Sequence, residues 1–248
     1  MNKKLMEHEL CVITGASNGI ARGIAERFLE EGADLIVADY DVETAQKIYG
    51  ENPQVVDILK VDATKVEDLE KIAEAVKKTG RRVKAVLPIV GTGPTNKIPD
   101  VTPKEFHLTM DLNVFSAFFT VQKVLPYMSE KSAIVLLSSI AGFQGGSNNI
   151  VYNAAKAAVR SMARSFAGEL ACRGIRANAI SPGPTETKGF TEFINENDEA
   201  RNGIIANIPL GHIGQPKEIA AIALFLASDE ASYVTGAEVI ADGGFTNR

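Results

Sequence analysis

LCVITGASNGIARGIAERFLEEGADLIVAD, residues 10–39, is the stretch from which the fold is read. Leu10 to Thr14 is a short apolar run of strand length, and it breaks into the glycine-bearing TGASNGIA. Ile20, Ile24 and Phe28 then recur at helical spacing until Gly32 stops the pattern. A second apolar run, Leu35 to Ala38, follows and is closed by Asp39. Strand, glycine-rich turn, helix, strand is the unit of a parallel sheet, in which a helix carries the chain back to the starting edge. Glycines in such a turn let the backbone approach a pyrophosphate, which lies against the amides and positive end of the helix. Gly15, Ser17, Asn18, Gly19 and Ile20 are the candidates for that contact. Asp39 lies about twenty residues beyond Gly19, where a carboxylate accepts both ribose hydroxyls of NAD and repels the 2'-phosphate of NADP.

The alternation continues outward. Val55 to Val61 reads as a strand, about 66–78 as a helix and Val83 to Val90 as a strand. A long helix follows from about Pro103 to Met128, then the run Ala133 to Leu137, a helix bearing Tyr152, and the run Ile175 to Ile180. Strands buried on both faces and alternating with long helices predict a doubly wound parallel sheet, a Rossmann fold in three α/β/α layers. No repeat, low-complexity tract or Pro/Gly/Ser-rich linker divides the chain, so residues 1–248 read as a single domain. Residues 184–209 break the alternation and are rich in Thr, Glu and Asn; such an insertion is expected to act as a substrate lid. Phe190, Phe193 and Ile194 within it suggest an apolar or mixed pocket.

Composition narrows the setting. Hydrophobic residues make up 45% and charged residues 23% of the chain, an ordinary globular balance. A net charge of -5 argues against nucleic-acid partners, and Lys77, Lys78, Arg81 and Arg82 read as a helix C-terminus and its exit. Cys11 and Cys172 lie within apolar patterns and are expected as core thiols of a reducing compartment. With three scattered histidines they give no metal spacing. MNKKLMEHEL lacks the apolar run of a signal peptide, and no stretch approaches the roughly 20 apolar residues of a membrane span. A cytoplasmic protein without membrane or nucleic-acid partners is expected.

The chemistry concentrates in SSIAGFQGGSNNIVYNAAK, residues 138–156. Tyr152 and Lys156 stand four apart, which stacks phenol and ammonium on one helical face. An unperturbed phenol titrates near 10, and an adjacent cation favours the phenolate. The Ser139 hydroxyl can hydrogen-bond a carbonyl oxygen while the phenol gives or takes its proton. Together these groups equip a site to interconvert a secondary alcohol and its ketone.

These residues resemble the short-chain dehydrogenase/reductases of the roughly 250-residue type, over nearly the whole chain. The matching marks are TGASNGI (Thr14 to Ile20), Asp62 in VDAT, Asn113 in DLNV, Ser139 in SSIAG, and Tyr152 with Lys156. SPGPTET (Ser181 to Thr187) and the run from Pro216 to Gly244 also fit. The resemblance implies Tyr152 as general acid/base, Ser139 as holder of the substrate oxygen, and Lys156 as the group that lowers the phenol pKa and holds the nicotinamide ribose. Asn113 would position a water linking Lys156 to solvent. Asp62 with Ala63 would approach the adenine, and Gly91 would border the cofactor. Pro182, Gly183, Thr185 and Thr187 would embrace the nicotinamide, with Thr187 near its carboxamide.

Two departures stand out. Ala21 replaces the last glycine of the phosphate turn, and Pro88, Ile89 and Val90 precede Gly91 where the family has Asn-Asn-Ala. A proline there would remove a donor from a central strand. The expected function is an NAD(H)-dependent oxidoreductase acting on a small-molecule alcohol or ketone. A 3-oxoacyl carrier-protein reductase and a non-catalytic NAD(H)-binding protein are the alternatives, and a lyase of the halohydrin-dehalogenase kind is disfavoured by the intact turn and lysine. Residues 112–124 are apolar nearly all round, and Ala154, Ala155, Ala157, Ala158 and Ala163 allow a close partner helix. Similar proteins pair these two helices across a twofold axis, so a homotetramer is expected.

Overall fold

A computed structural model describes residues 4–194 and 197–247. The side chain of Phe193 and the first three residues of the N-terminal stretch lie outside that description. Seven parallel strands form one sheet in the order β3-β2-β1-β4-β5-β6-β7. They are β1 (Leu10–Thr14), β2 (Asp34–Asp39), β3 (Val55–Lys60), β4 (Val83–Pro88), β5 (Met128–Leu137), β6 (Arg176–Pro182) and β7 (Glu238–Ala241). The order reverses between β1 and β4, so the crevice for a ligand opens at the carboxyl ends of those two strands.

Period-two alternation sends neighbouring strand residues into two separate cores. Val12, Ile36, Val86 and Ile134 pack beneath α3 (Val66–Thr79), α5 (Ser116–Val124) and α7 (Ile150–Leu170). Ile13, Val37, Leu87 and Val135 face the opposite layer, α1 (Gly19–Glu30) and α10 (Pro216–Ala227). Each such side chain, taken fully from water, contributes about 1.5–3 kcal/mol. Truncating Ile36, which is completely buried, would therefore cost about 2–5 kcal/mol with its cavity.

Several elements depart from the sequence reading. Helix α2 (Val42–Tyr49) and strand β7 have no counterpart in it; α2 is only two turns long and starts on a side-chain cap, Asp41 accepting from Thr44 N (3.0 Å). The long helix is interrupted. α4 (Pro103–Met110) leads into a widened π-type turn at Asp111–Phe115 before α5, and a three-ten turn at Leu125–Tyr127 ends the run, so Met128 already belongs to β5. Pro126 in that turn has no N–H with which to continue a helix. The expected irregular insertion contains two short helices, α8 (Lys188–Phe193) and α9 (Asp198–Ile205). Cys172 is corrected: it is exposed just beyond α7, and only Cys11 is a core thiol.

Pro88 does not break the sheet as expected. It is the last residue of β4, and the β4–β5 ladder has already ended with Val86 opposite Ile134. Thr14 Oγ1 accepts from the following amides, Ile89 N (3.1 Å) and Val90 N (3.4 Å), so the donors beyond the proline are met without the family's asparagines.

Candidate active site

A cleft of about 1050 Å³ opens along the carboxyl ends of the strands. At one end lies the turn between β1 and α1. Gly15 has φ 76° and Gly19 φ 57°, conformations that side chains with a Cβ seldom adopt. Asn18 precedes α1 without a side-chain cap, and the first helical turn holds no acidic residue, so its N–H groups remain free for an anion. The turn is braced from beneath by Tyr49, whose buried hydroxyl donates to Ala16 O (2.7 Å). Nothing in the sequence pattern singled Tyr49 out, because an aromatic in a short helix reads as core.

Asp39 ends β2 with its carboxylate almost wholly buried. One oxygen accepts from Ser17 N (2.8 Å) and the other from Asp41 N (2.9 Å), which ties the acid to the phosphate turn. Asp62, beyond β3, accepts from Thr64 N (3.1 Å) and Thr64 Oγ1 (2.7 Å). The Thr64 hydroxyl bond leads the influences that hold its carboxyl below the ordinary range. Ser17, Asn18, Ile20, Asp39, Asp62, Ala63, Pro182, Gly183, Thr185 and Thr187 all line this one cleft.

At the other end β5 leads into Ser138 and Ser139, a single helical turn, α6 (Ala141–Gln144), follows, and α7 then carries Tyr152 and Lys156. Ser138 Oγ donates to Lys156 O (2.9 Å), pinning the helix to the strand, and Lys156 Nζ donates to Leu137 O (2.9 Å). The ammonium lies 5.5 Å from the Tyr152 ring centre. Burial pushes Lys156 down to about 8. Burial also pushes the Tyr152 phenol upward, and the neighbouring Ser139 hydroxyl pulls it the other way. Desolvation leads, so the phenol of the protein alone stands above its ordinary range.

Asn113 stands behind the cleft rather than in its wall. It sits in the widened turn, where Nδ2 donates to Thr109 O (2.8 Å) and Thr92 O (2.6 Å), while its buried Oδ1 has no hydrogen-bond partner among the described residues. Gly91 separates it from the cleft. A Cβ on Gly91 would overlap Asn113 Oδ1 and come within 2.8 Å of Lys156 Nζ, so only glycine leaves this pair room. Phe190 and Ile204 of the insertion and Phe245 near the C-terminus complete the wall, the last missed by the sequence reading.

Comparison with known proteins agrees with this architecture. A family model described as enoyl-(acyl carrier protein) reductase matches residues 15–246. The chain is 34% identical over 244 residues to the 3-oxoacyl-(acyl-carrier-protein) reductase FabG of Thermotoga maritima, covering 96% of this chain and 98% of that protein. It is 34% identical over 241 residues to an NAD-dependent glycerol dehydrogenase of Listeria innocua, covering 96% and 94%. A crystal structure of a short-chain dehydrogenase/reductase, a glucose/ribitol dehydrogenase from Brucella melitensis, superposes with TM-score 0.93 at 32% identity over 98% of both chains. The chain belongs to the short-chain dehydrogenase/reductase family of oxidoreductases, which use nicotinamide cofactors. Among the described residues no helix is long and apolar enough to cross a membrane.

Proposed function

We propose that this protein is an NAD(H)-dependent oxidoreductase that interconverts a secondary alcohol and its ketone, with Tyr152 as general acid/base. The observation that carries the reading is the convergence of Ser139, Tyr152 and buried Lys156 on one end of a cleft whose other end is an open helix N-terminus beside Asp39. The residues present fit a dinucleotide. Uncapped amides at Gly19 and Ile20 suit a pyrophosphate, the Asp39 carboxylate suits a ribose diol, and the space kept by Gly91 leads to Lys156. Asp62 and Ala63 would border the adenine, and Pro182, Gly183, Thr185 and Thr187 the nicotinamide. When bound, the cofactor supplies the hydride acceptor or donor.

The chain's own groups handle the proton. In oxidation the Tyr152 phenolate takes the proton of the substrate hydroxyl while Ser139 holds the oxygen. In reduction the phenol returns it. Lys156, held by Leu137 O, stabilises the phenolate, and the unpaired Asn113 Oδ1 suits a water that relays protons from Lys156. Residues 184–209 serve as a lid: Arg201 on α9 grips Glu186 at 3.1 and 2.5 Å, joining the lid to the loop that would embrace the nicotinamide.

Reduction of a 3-oxoacyl thioester is the second reading, favoured by the similarity to the Thermotoga reductase. Formation of reduced nicotinamide from NAD and from NADP over a panel of polyols, sugars, cyclic alcohols, hydroxysteroids and hydroxyacyl thioesters tests both. Turnover with NAD and a free alcohol upholds the first; a preference for NADP and the thioester replaces it with the second. The free thiol Cys11 and the exposed thiol Cys172 suit a reducing compartment such as the cytoplasm. We also propose a homotetramer. Phe118 on α5 is 38% exposed beside the partly buried Phe115 and Phe119, an aromatic surface that a second subunit would cover. A monomer in light scattering at micromolar concentration would refute it.

A further inference from the structure

We propose that Arg160, which lies outside the cleft, is a positioning residue for the reaction: it holds the one-turn helix α6 against α7, and through α6 it sets the direction of the Ser139 hydroxyl. The inference rests on the reading of Ser139 and Tyr152 as the groups that hold the substrate oxygen and exchange its proton, and it names what keeps the first of them in place.

Helical spacing puts Arg160 one turn beyond Lys156 and two beyond Tyr152, on the same face of α7. Its guanidinium is held from two sides. Toward the sheet, Nε stands 2.5 Å from Glu238 Oε2; the contact is ionic rather than an aligned hydrogen bond. Glu238 lies opposite Ala179 in the β6–β7 ladder, on the face that α7 covers, and its side chain is only 11% exposed. Its other oxygen accepts from Ser181 Oγ (2.7 Å), which fixes the carboxylate. A carboxylate at that depth is kept where a cation and a hydroxyl meet it. From α6, the centre of the Phe143 ring lies 5.4 Å from Arg160 Cζ, within reach of a cation–π attraction.

Helix α6 depends on such a hold. It is a single turn of four residues, too short to persist on its own hydrogen bonds, and Gly145 and Gly146 follow it. A Cβ on Gly142 would come within 2.9 Å of Lys156 C and Ala157 N, so the turn rests directly on the α7 backbone at the lysine. Phe143, the next residue, carries an exposed ring that fastens the turn to α7 through the guanidinium. At the start of the turn Ala141 N donates to Ser139 Oγ (3.2 Å). That amide takes one lone pair of the hydroxyl. Its hydrogen and its other lone pair are left for the cleft, which Ser139, Ala141 and Gln144 line. Glu238, Arg160, Phe143, Ala141 and Ser139 thus form one path from the edge strand to the substrate oxygen.

Arg160→Met alone would leave Glu238 buried without its cation, at a cost to the fold unrelated to the site. The test therefore uses Arg160→Met/Glu238→Gln, which removes both charges together, and Phe143→Leu, which removes only the ring. Hydrogen exchange read by mass spectrometry follows the peptide of residues 139–144 in the full-length protein. A cation–π contact is worth a factor of about 2 to 30, so each variant should hasten exchange in that peptide by roughly that factor, with peptides of β1 and α1 unchanged. Adding Phe143→Leu to the double variant should bring less than about a further twofold, because both changes cut the same contact. In turnover, kcat should fall about threefold or more in each variant, while NADH affinity stays within about twofold, since the Ser139 hydroxyl and not the cofactor turn is disturbed. Unchanged exchange at 139–144, effects that add in the combined variant, or an unchanged kcat would each overturn the inference. If the unmodified protein turns over no alcohol, the Tyr152 reading is what fails. The exchange data then still decide whether Arg160 holds α6: a local, non-additive change upholds it and an unchanged peptide refutes it.

Discussion

Replacing Asp39 by Ala probes both cofactor choice and the architecture of the phosphate turn. In the structure the carboxylate accepts from Ser17 N and Asp41 N, so it is fixed as well as charged. A 2'-phosphate placed about 4 Å from it would meet a repulsion of about 4 kcal/mol per unit charge at an effective dielectric near 20. Phosphate hydrogen bonds elsewhere would offset part of this, leaving a discrimination on the order of a hundredfold or more against NADP. The Asp39→Ala variant loses the repulsion and also two hydrogen bonds to a charged acceptor, each worth about 1.5–3 kcal/mol. The prediction has two parts. The ratio of kcat/KM for NAD over NADP, on the order of 100 or above in the unmodified protein, should fall below about 10. The KM for NAD should also rise by at least tenfold, and thermal stability should drop as Ser17 N and Asp41 N are left unpaired. Steady-state kinetics with both cofactors and a thermal melt supply the numbers. Equal use of the two cofactors by the unmodified protein, or an unchanged ratio in the variant, would refute the reasoning.

Gly91→Ala places a methyl against Asn113 Oδ1 and 2.8 Å from Lys156 Nζ. Relieving that overlap means moving the pair by up to about 1 Å, which at groups with the proposed roles should cost about a hundredfold in kcat, and the overpacking about 1–3 kcal/mol in a denaturant melt; an unchanged kcat would remove the pair from the mechanism. The pH profile tests the same pair. Burial pushes Lys156 down to about 8 and Tyr152 upward; in the proposed mechanism the two act as one proton store, whose first proton would then leave near 8. Oxidation needs one proton removed from the pair and reduction needs it present; the oxidation rate should rise with pH through about 8 and the reduction rate should fall. Lys156→Met should move the oxidation limb to higher pH, since only the raised phenol remains. A profile flat between pH 6 and 10 would contradict this.

Much of the site was legible because its parts are local. The turn at Gly15 and Gly19, the acid closing β2, and the Tyr152–Lys156 spacing each lie within one strand–helix unit, and the sheet order places the units at a common edge. What stayed hidden depends on contacts distant in sequence. Thr14 meets Ile89 and Val90 across 75 and 76 residues, which is why Pro88 costs the sheet nothing that its own neighbourhood could reveal. Tyr49 reaches Ala16 across 33 residues. The break in the long helix at Asp111–Phe115 was likewise invisible: its periodicity continues through the turn, and only the third dimension shows Asn113 Nδ2 bonded to Thr92 O as well as to the helix. Cys172 differs from the sequence reading because the apolar pattern before it, ending with buried Leu170, belongs to α7, while the cysteine lies two residues beyond the helix end in an exposed three-ten turn.

The most direct measurement is the Tyr152→Phe variant, assayed for reduced-nicotinamide turnover and titrated with NADH by fluorescence. The account predicts turnover reduced at least a thousandfold, within the scale of general acid/base catalysis, with NADH affinity held within a few-fold because the phenol's hydroxyl is the only group removed. A variant that kept its rate would contradict the assignment of the proton to Tyr152.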